Sequence, residues 1–129
     1  MPIEFNHTLI WCQDQEKSAR FLADVLGLPP PAKLYHFDVV DLANGVTIDF
    51  TNVPFSPAPP IQPQHYAFLV SETEFDEIFG RIKERELDYW ADPRRQQQGE
   101  INHNDGGRGV YFSDPSGHYY EVITRPYAR

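Results

Sequence analysis

The sequence predicts an α+β fold made of two tandem βαβββ modules that contribute strands to a mixed sheet. Three observations lead there. A strand carrying a histidine runs into a helix twice, at His7 and at His65. His7 and His65 are separated by the same interval as Phe21 and Phe79 on the helices that follow them. The spacing of Gly45, Asp49 and Pro54 returns as Gly117, Glu121 and Pro126, so each half also ends on a strand with a carboxylate at its centre. Self-similarity of this kind indicates a duplicated structural unit.

Taken in order, Ile3–Cys12 has strand composition, and its alternation places Phe5, His7, Leu9 and Trp11 on one face. Asp14 is the expected N-cap of a helix running through Leu26, with Phe21, Leu22, Val25 and Leu26 as its apolar stripe. Gly27 is the natural stop, and Pro29–Pro31 forbid continuation. Lys33–Leu42 and Val46–Asn52 read as strands joined by a turn at Ala43-Asn44-Gly45. Residues 54–63 are proline-rich and aperiodic, an extended linker between module one (1–53) and module two (64–129) of a single domain.

Gln64–Val70 restarts the pattern as a strand. Ser71 and Glu74 form a capping box for a helix that buries Phe75, Ile78, Phe79 and Ile82 and runs to about Arg85 or Glu86. Leu87–Trp90 reads as a short strand, and 91–108 as a long polar loop of the kind that is functional or mobile. Two apolar runs, Val110–Phe112 and Tyr119–Ile123, flank Asp114-Pro115-Ser116-Gly117 and make a hairpin.

A chain of 129 residues with a formal charge of −8 is large enough for a core and too acidic for nucleic acid or an anionic membrane as its main partner. No signal peptide is expected, no apolar run is of bilayer length, and Cys12, the single cysteine, is expected to be a buried strand thiol. A cytoplasmic location is expected.

Glu121 carries the functional argument. A carboxylate among Tyr120, Val122 and Ile123 is costly to bury without a cation or donors. If the halves pack about a pseudo-twofold axis, His7, Asp49, His65 and Glu121 converge, and the missing cation is a divalent metal. Two imidazoles and one carboxylate suit non-haem Fe(II) and dioxygen; a second carboxylate admits Mn, Ni or Zn. Asp49 is either a ligand or a residue that orients a ligand histidine. His36 and His118 read as structural. Arg94-Arg95 is a solvated loop pair or grips an anionic substrate, and Trp90, Tyr119 and Phe50 belong either to an aromatic pocket or to the core.

His7 in FNHTLIW, the DVLGL end of the first helix, His65 in QHYAFLV and Glu121 in DPSGHYYEV together resemble the vicinal oxygen chelate superfamily of glyoxalases, bleomycin resistance proteins and extradiol dioxygenases. GVTIDF, YWADP, GEINHNDGGRGVYF and ITRPY narrow the resemblance to the ChaP-like ring-cleaving dioxygenases of chartreusin biosynthesis. The resemblance implies the glyoxalase fold, Fe(2+) held by His7, His65 and Glu121, and cleavage of a polycyclic hydroxylated or quinone-like aromatic by dioxygen in natural-product biosynthesis. It implies a role for Tyr111 and an acid/base histidine, for which His103 is the candidate. It also implies a homodimer, with exchange of modules between chains open. Two other functions stand beside this one: a glyoxalase- or fosfomycin-resistance-type isomerase or thiol transferase, and a non-catalytic aromatic-antibiotic binder.

Overall fold

The computed structural model describes residues 2–128. The chain divides into two compact units, 1–61 and 62–129. Each unit carries one helix and one four-stranded mixed sheet, and the elements follow in the same order in both.

In the first unit, β1 (His7–Cys12), α1 (Gln15–Leu26), β2 (Ala32–Leu34), β3 (Phe37–Asp41) and β4 (Thr47–Asn52) make a sheet of order β1-β4-β3-β2. β1 runs parallel to β4, and the other two pairs are antiparallel. Asp14 caps α1 by accepting from the Lys17 N–H at 3.2 Å. Gly27 ends the helix at φ 73, a backbone state that a side chain would strain, and donates to Ala23 and Asp24. Leu22, Val25, Ile10, Val40, Ile48 and Phe50 form the core between helix and sheet. Phe50, 0 % exposed, is therefore core and not pocket. Cys12 is equally buried, with its Sγ 3.5 Å from the Ile10 carbonyl.

The stretch expected as one strand over Lys33–Leu42 is broken. Tyr35 takes φ 53, and Tyr35-His36 turns the chain so that β2 pairs back on β3. The residues between β4 and the second unit hold no helix or strand. Phe55 in that segment meets Trp11 edge-on at 5.5 Å.

In the second unit, β5 (His65–Leu69), α2 (Glu72–Glu84), β6 (Tyr89–Trp90), β7 (Gly109–Ser113) and β8 (Tyr119–Ile123) give the order β5-β8-β7-β6, again with the first pair parallel. The β7–β8 hairpin turns on Asp114, whose carboxylate accepts from the N–H groups of Ser116 and His118, both at 2.9 Å. His118 is 2 % exposed and its Nδ1 accepts from the Gln64 N–H, so it is structural. Arg108 ties α2 to the sheet: it meets Glu72 and Asp76 at 2.8 Å each and lies over the Phe75 ring.

The 91–108 loop is stapled down rather than free. Asp92 accepts from the Gln96 and Gln97 N–H groups, Trp90 bridges to Gln98, and Asn102 bridges to Gly109. A side chain at Gly109 would meet the Asn102 amide at 2.8 Å, so this crossing requires glycine.

The Ser71 hydroxyl accepts from the Glu74 N–H at 3.1 Å, and the Glu74 carboxylate accepts from the Ser71 N–H at 2.8 Å. That backbone bond holds the Glu74 carboxyl below its ordinary value of 4.5. A depressed acid stabilises the fold above its unfolded pKa, and the contribution is lost as pH falls through the folded one. Ser71→Ala is expected to cost about 1 kcal/mol in chemical denaturation at neutral pH. Glu74→Gln should flatten the acid limb of the stability curve, checked by repeating the denaturation between neutral and acidic pH.

Candidate active site

The two sheets present equivalent chemistry at equivalent places. In the parallel pair β5–β8, Ala67 opposes Glu121 and His65 opposes Tyr119. In β1–β4, Leu9 opposes Asp49 and His7 opposes Thr47. Alternation puts histidine and carboxylate on one face in each unit, one diagonal step apart.

In the second unit that diagonal is closed. His65 Nε2 lies 2.8 Å from Glu121 Oε1. Glu121 is 1 % exposed, whereas the His65 side chain is 44 % exposed. Among the described residues, Glu121 has no lysine or arginine as an ion-pair partner. Its other oxygen accepts from the Tyr127 hydroxyl, which also lies 3.2 Å from the Tyr111 hydroxyl. The Tyr111 ring meets the His65 ring edge-on at 5.7 Å. Burial first, then the Glu121 carboxylate, push the Tyr111 phenol well above its ordinary pKa. It stays a neutral hydrogen-bond donor at physiological pH.

In the first unit the diagonal stays open. Asp49 is buried and accepts from the Thr47 hydroxyl at 2.9 Å. His7 is exposed and pairs with the Asn6 side chain at 2.7 Å. Aspartate is one methylene shorter than glutamate, and Thr47 on the same strand face satisfies it. Among the described residues, no group of three or more His, Cys, Asp and Glu side chains is gathered closely enough to hold a metal ion.

His103 is exposed at the start of a single 3-10 turn, Asn104–Gly106, and has no hydrogen bond to His65, Glu121 or Tyr111. Tyr127 is the residue that sequence reasoning missed. After β8 the chain bends at Thr124-Arg125, and Gly107 makes room for that bend: a side chain there would meet Thr124 Oγ1 at 2.6 Å and Arg125 Cγ at 2.8 Å. The signal lay in Gly107 and Pro126, which mark a close approach and the end of the strand.

The same face continues from Glu121 to Tyr119 and from Tyr111 to Ser113. The Arg95 guanidinium covers it, 4.3 Å from the Tyr119 ring and 5.0 Å from the Trp90 ring, and donates to Ser113 Oγ at 2.8 Å. Trp90 and Tyr119 are half-buried and border a small recess together with Arg95.

Carboxylate and imidazole are donor types that a divalent cation accepts. Glu121 is buried with the His65 imidazole and the Tyr127 hydroxyl against it and, among the described residues, no lysine or arginine, so its desolvation is only partly offset.

The fold is shared with known proteins. A structure described as oxidase ChaP-H1 superposes with a TM-score of 0.93 at 55 % identity, covering 99 % of this chain and 100 % of its own. Oxidase ChaP-H2 superposes equally well at 53 % identity, covering 99 % and 98 %. The metallothiol transferase FosB of Lysinibacillus sphaericus is 29 % identical over 92 % of this chain and 80 % of its own length. Residues 4–122 match the model of one protein family, and the chain belongs to the glyoxalase/bleomycin resistance protein/dioxygenase superfamily.

Proposed function

We propose that this chain is an Fe(II)-dependent dioxygenase that cleaves a ring of a polycyclic hydroxylated or quinone-like aromatic, with His7, Asp49, His65 and Glu121 as the residues that hold the metal. The observation that carries the reading is the buried Glu121 carboxylate with His65 as its charged-capable partner. The likeness to the two oxidases supports the redox class. A bound Fe(II) supplies Lewis acidity toward a phenolic oxygen and a seat for dioxygen.

The protein's own residues then have separable tasks. Tyr127 fixes one carboxylate oxygen of Glu121, which leaves the other free to face His65. Tyr111, kept protonated by its surroundings, is placed to donate its one O–H to a substrate oxygen when that O–H turns from Tyr127. His103, open to solvent, is the candidate acid/base. The 29 % identity to FosB favours a metal-dependent thiol transferase as the second reading; thiol consumption without oxygen uptake is its mark.

Anaerobic titration of the metal-free protein with Fe(II), Mn²⁺, Ni²⁺ and Zn²⁺ is the first test. One ion per chain is expected. His65→Ala and Glu121→Ala should each abolish stoichiometric binding in a folded protein, and full-affinity binding by either variant removes that residue from the ligand set.

Oxygen uptake with polyhydroxylated aromatics tests the reaction. Tyr111→Phe should keep the metal and slow turnover about 10²-fold. His103→Ala should flatten one limb of the pH–rate profile, and an unaltered profile removes it as the acid/base.

The proposed ligands are divided two and two between the units. A homodimer with exchanged modules makes a distinct forecast. A refolded equal mixture of His7→Ala and Glu121→Ala recovers roughly a quarter of the sites, because a mixed dimer joins an intact unit from each chain. Sites formed within single chains recover none.

A further inference from the structure

We propose that Arg95 is a specificity-determining residue, which receives an anionic oxygen on a flat aromatic substrate and so selects acids or phenolates over their neutral counterparts. The proposal rests on the oxidase reading for placing a substrate over this face, and adds the charge that the substrate must carry.

Four features assign this role. The guanidinium lies against Tyr119 and Trp90, and one of its N–H groups is spent on Ser113. A guanidinium offers five donors in a planar fork. Among the described residues no carboxylate pairs with Arg95, unlike Arg108, which takes two. The chain also holds Arg95 in the left-handed region at φ 58, a conformation that costs a side-chain-bearing residue roughly 1–2 kcal/mol. The Asp92 carboxylate enforces it by accepting from the next two N–H groups. The loop is thus shaped to point this cation over the sheet.

Position ties it to the proposed chemistry. Arg95 covers the Ser113–Tyr119 pair, and Tyr111–Glu121 is the next pair on that face, about 7 Å further along the strands. Arg95 and Tyr111 border one recess. An anionic group anchored at Arg95 lies about that far from the Glu121 carboxylate, a span comparable to a fused two-ring frame. The protein's net charge of −8 repels anions in general, so any preference for one has to arise locally.

The test uses the full-length, metal-free protein and two probes, 1-hydroxy-2-naphthoate and its methyl ester, followed by calorimetry. The wild type is expected to bind the carboxylate about tenfold more tightly than the ester. Arg95→Gln should bring the ratio to about one. Arg94→Gln, the exposed neighbour, should keep the wild-type ratio. An unchanged ratio in Arg95→Gln, an equal collapse in Arg94→Gln, or no binding of the naphthoate by the wild type overturns the proposal. Fe(II) titration of the same proteins separates the two readings. A wild type that takes up no Fe(II) but loses its preference on Arg95→Gln refutes the oxidase and keeps the anchor. Normal uptake with an unchanged ratio does the reverse.

Discussion

A carboxylate at the centre of a sheet constrains the whole second unit. Desolvating such a group costs several kcal/mol even after relaxation. His65, a half-exposed imidazole, and Tyr127, a phenol from beyond the last strand, offset part of that cost. An apolar residue at position 121 would carry no such cost. Glu121 is therefore maintained against folding stability, and the elements around it supply donors at particular angles: β5 brings His65, β7 brings Tyr111, and the bend accommodated by Gly107 brings Tyr127.

The first unit shows what one methylene does to the same arrangement. The register of β1 on β4 repeats that of β5 on β8, so backbone geometry does not distinguish the two carboxylates. Asp49 nevertheless turns to Thr47 on its own strand, while Glu121 reaches its histidine. His7, left without that partner, meets Asn6 instead. The pairs are the same in design and unequal in reach, which sets Asp49 apart from Glu121 as a donor.

The features legible in the sequence are those with a local physical cause. Asp14 and Gly27 bracket α1, Ser71 with Glu74 opens α2, and Asp114 to Gly117 turn the hairpin, because capping and turn chemistry are decided within four residues. The placement of His65 beside Glu121 followed from the repeat, since alternation fixes the face of a strand. The break at Tyr35-His36 was not legible: Lys33–Leu42 carries no glycine or proline, and a tyrosine at positive φ leaves no compositional trace. The stapled loop was also hidden. Its order comes from the Asp92 carboxylate accepting from the Gln96 and Gln97 N–H groups and from Asn102 donating to the Ala91 carbonyl, and such bonds have no period.

Arg95 illustrates how a loop acquires chemistry from the sheet beneath it. Alone it is an exposed cation on a polar segment, the commonest bland feature of a surface. Over Tyr119 and Trp90 its planar face is occupied by rings, and Ser113 fixes one edge. A long side chain loses up to about 2 kcal/mol of rotamer freedom when it is held so. Stacking at a partly exposed site returns about 0.5–1 kcal/mol per ring. The two nearly balance, so the arrangement adds little to stability while holding an unpaired cation ready in one orientation. A ligand that meets such a group loses less entropy on binding, and that saving appears as selectivity for the anion rather than as strength of the fold.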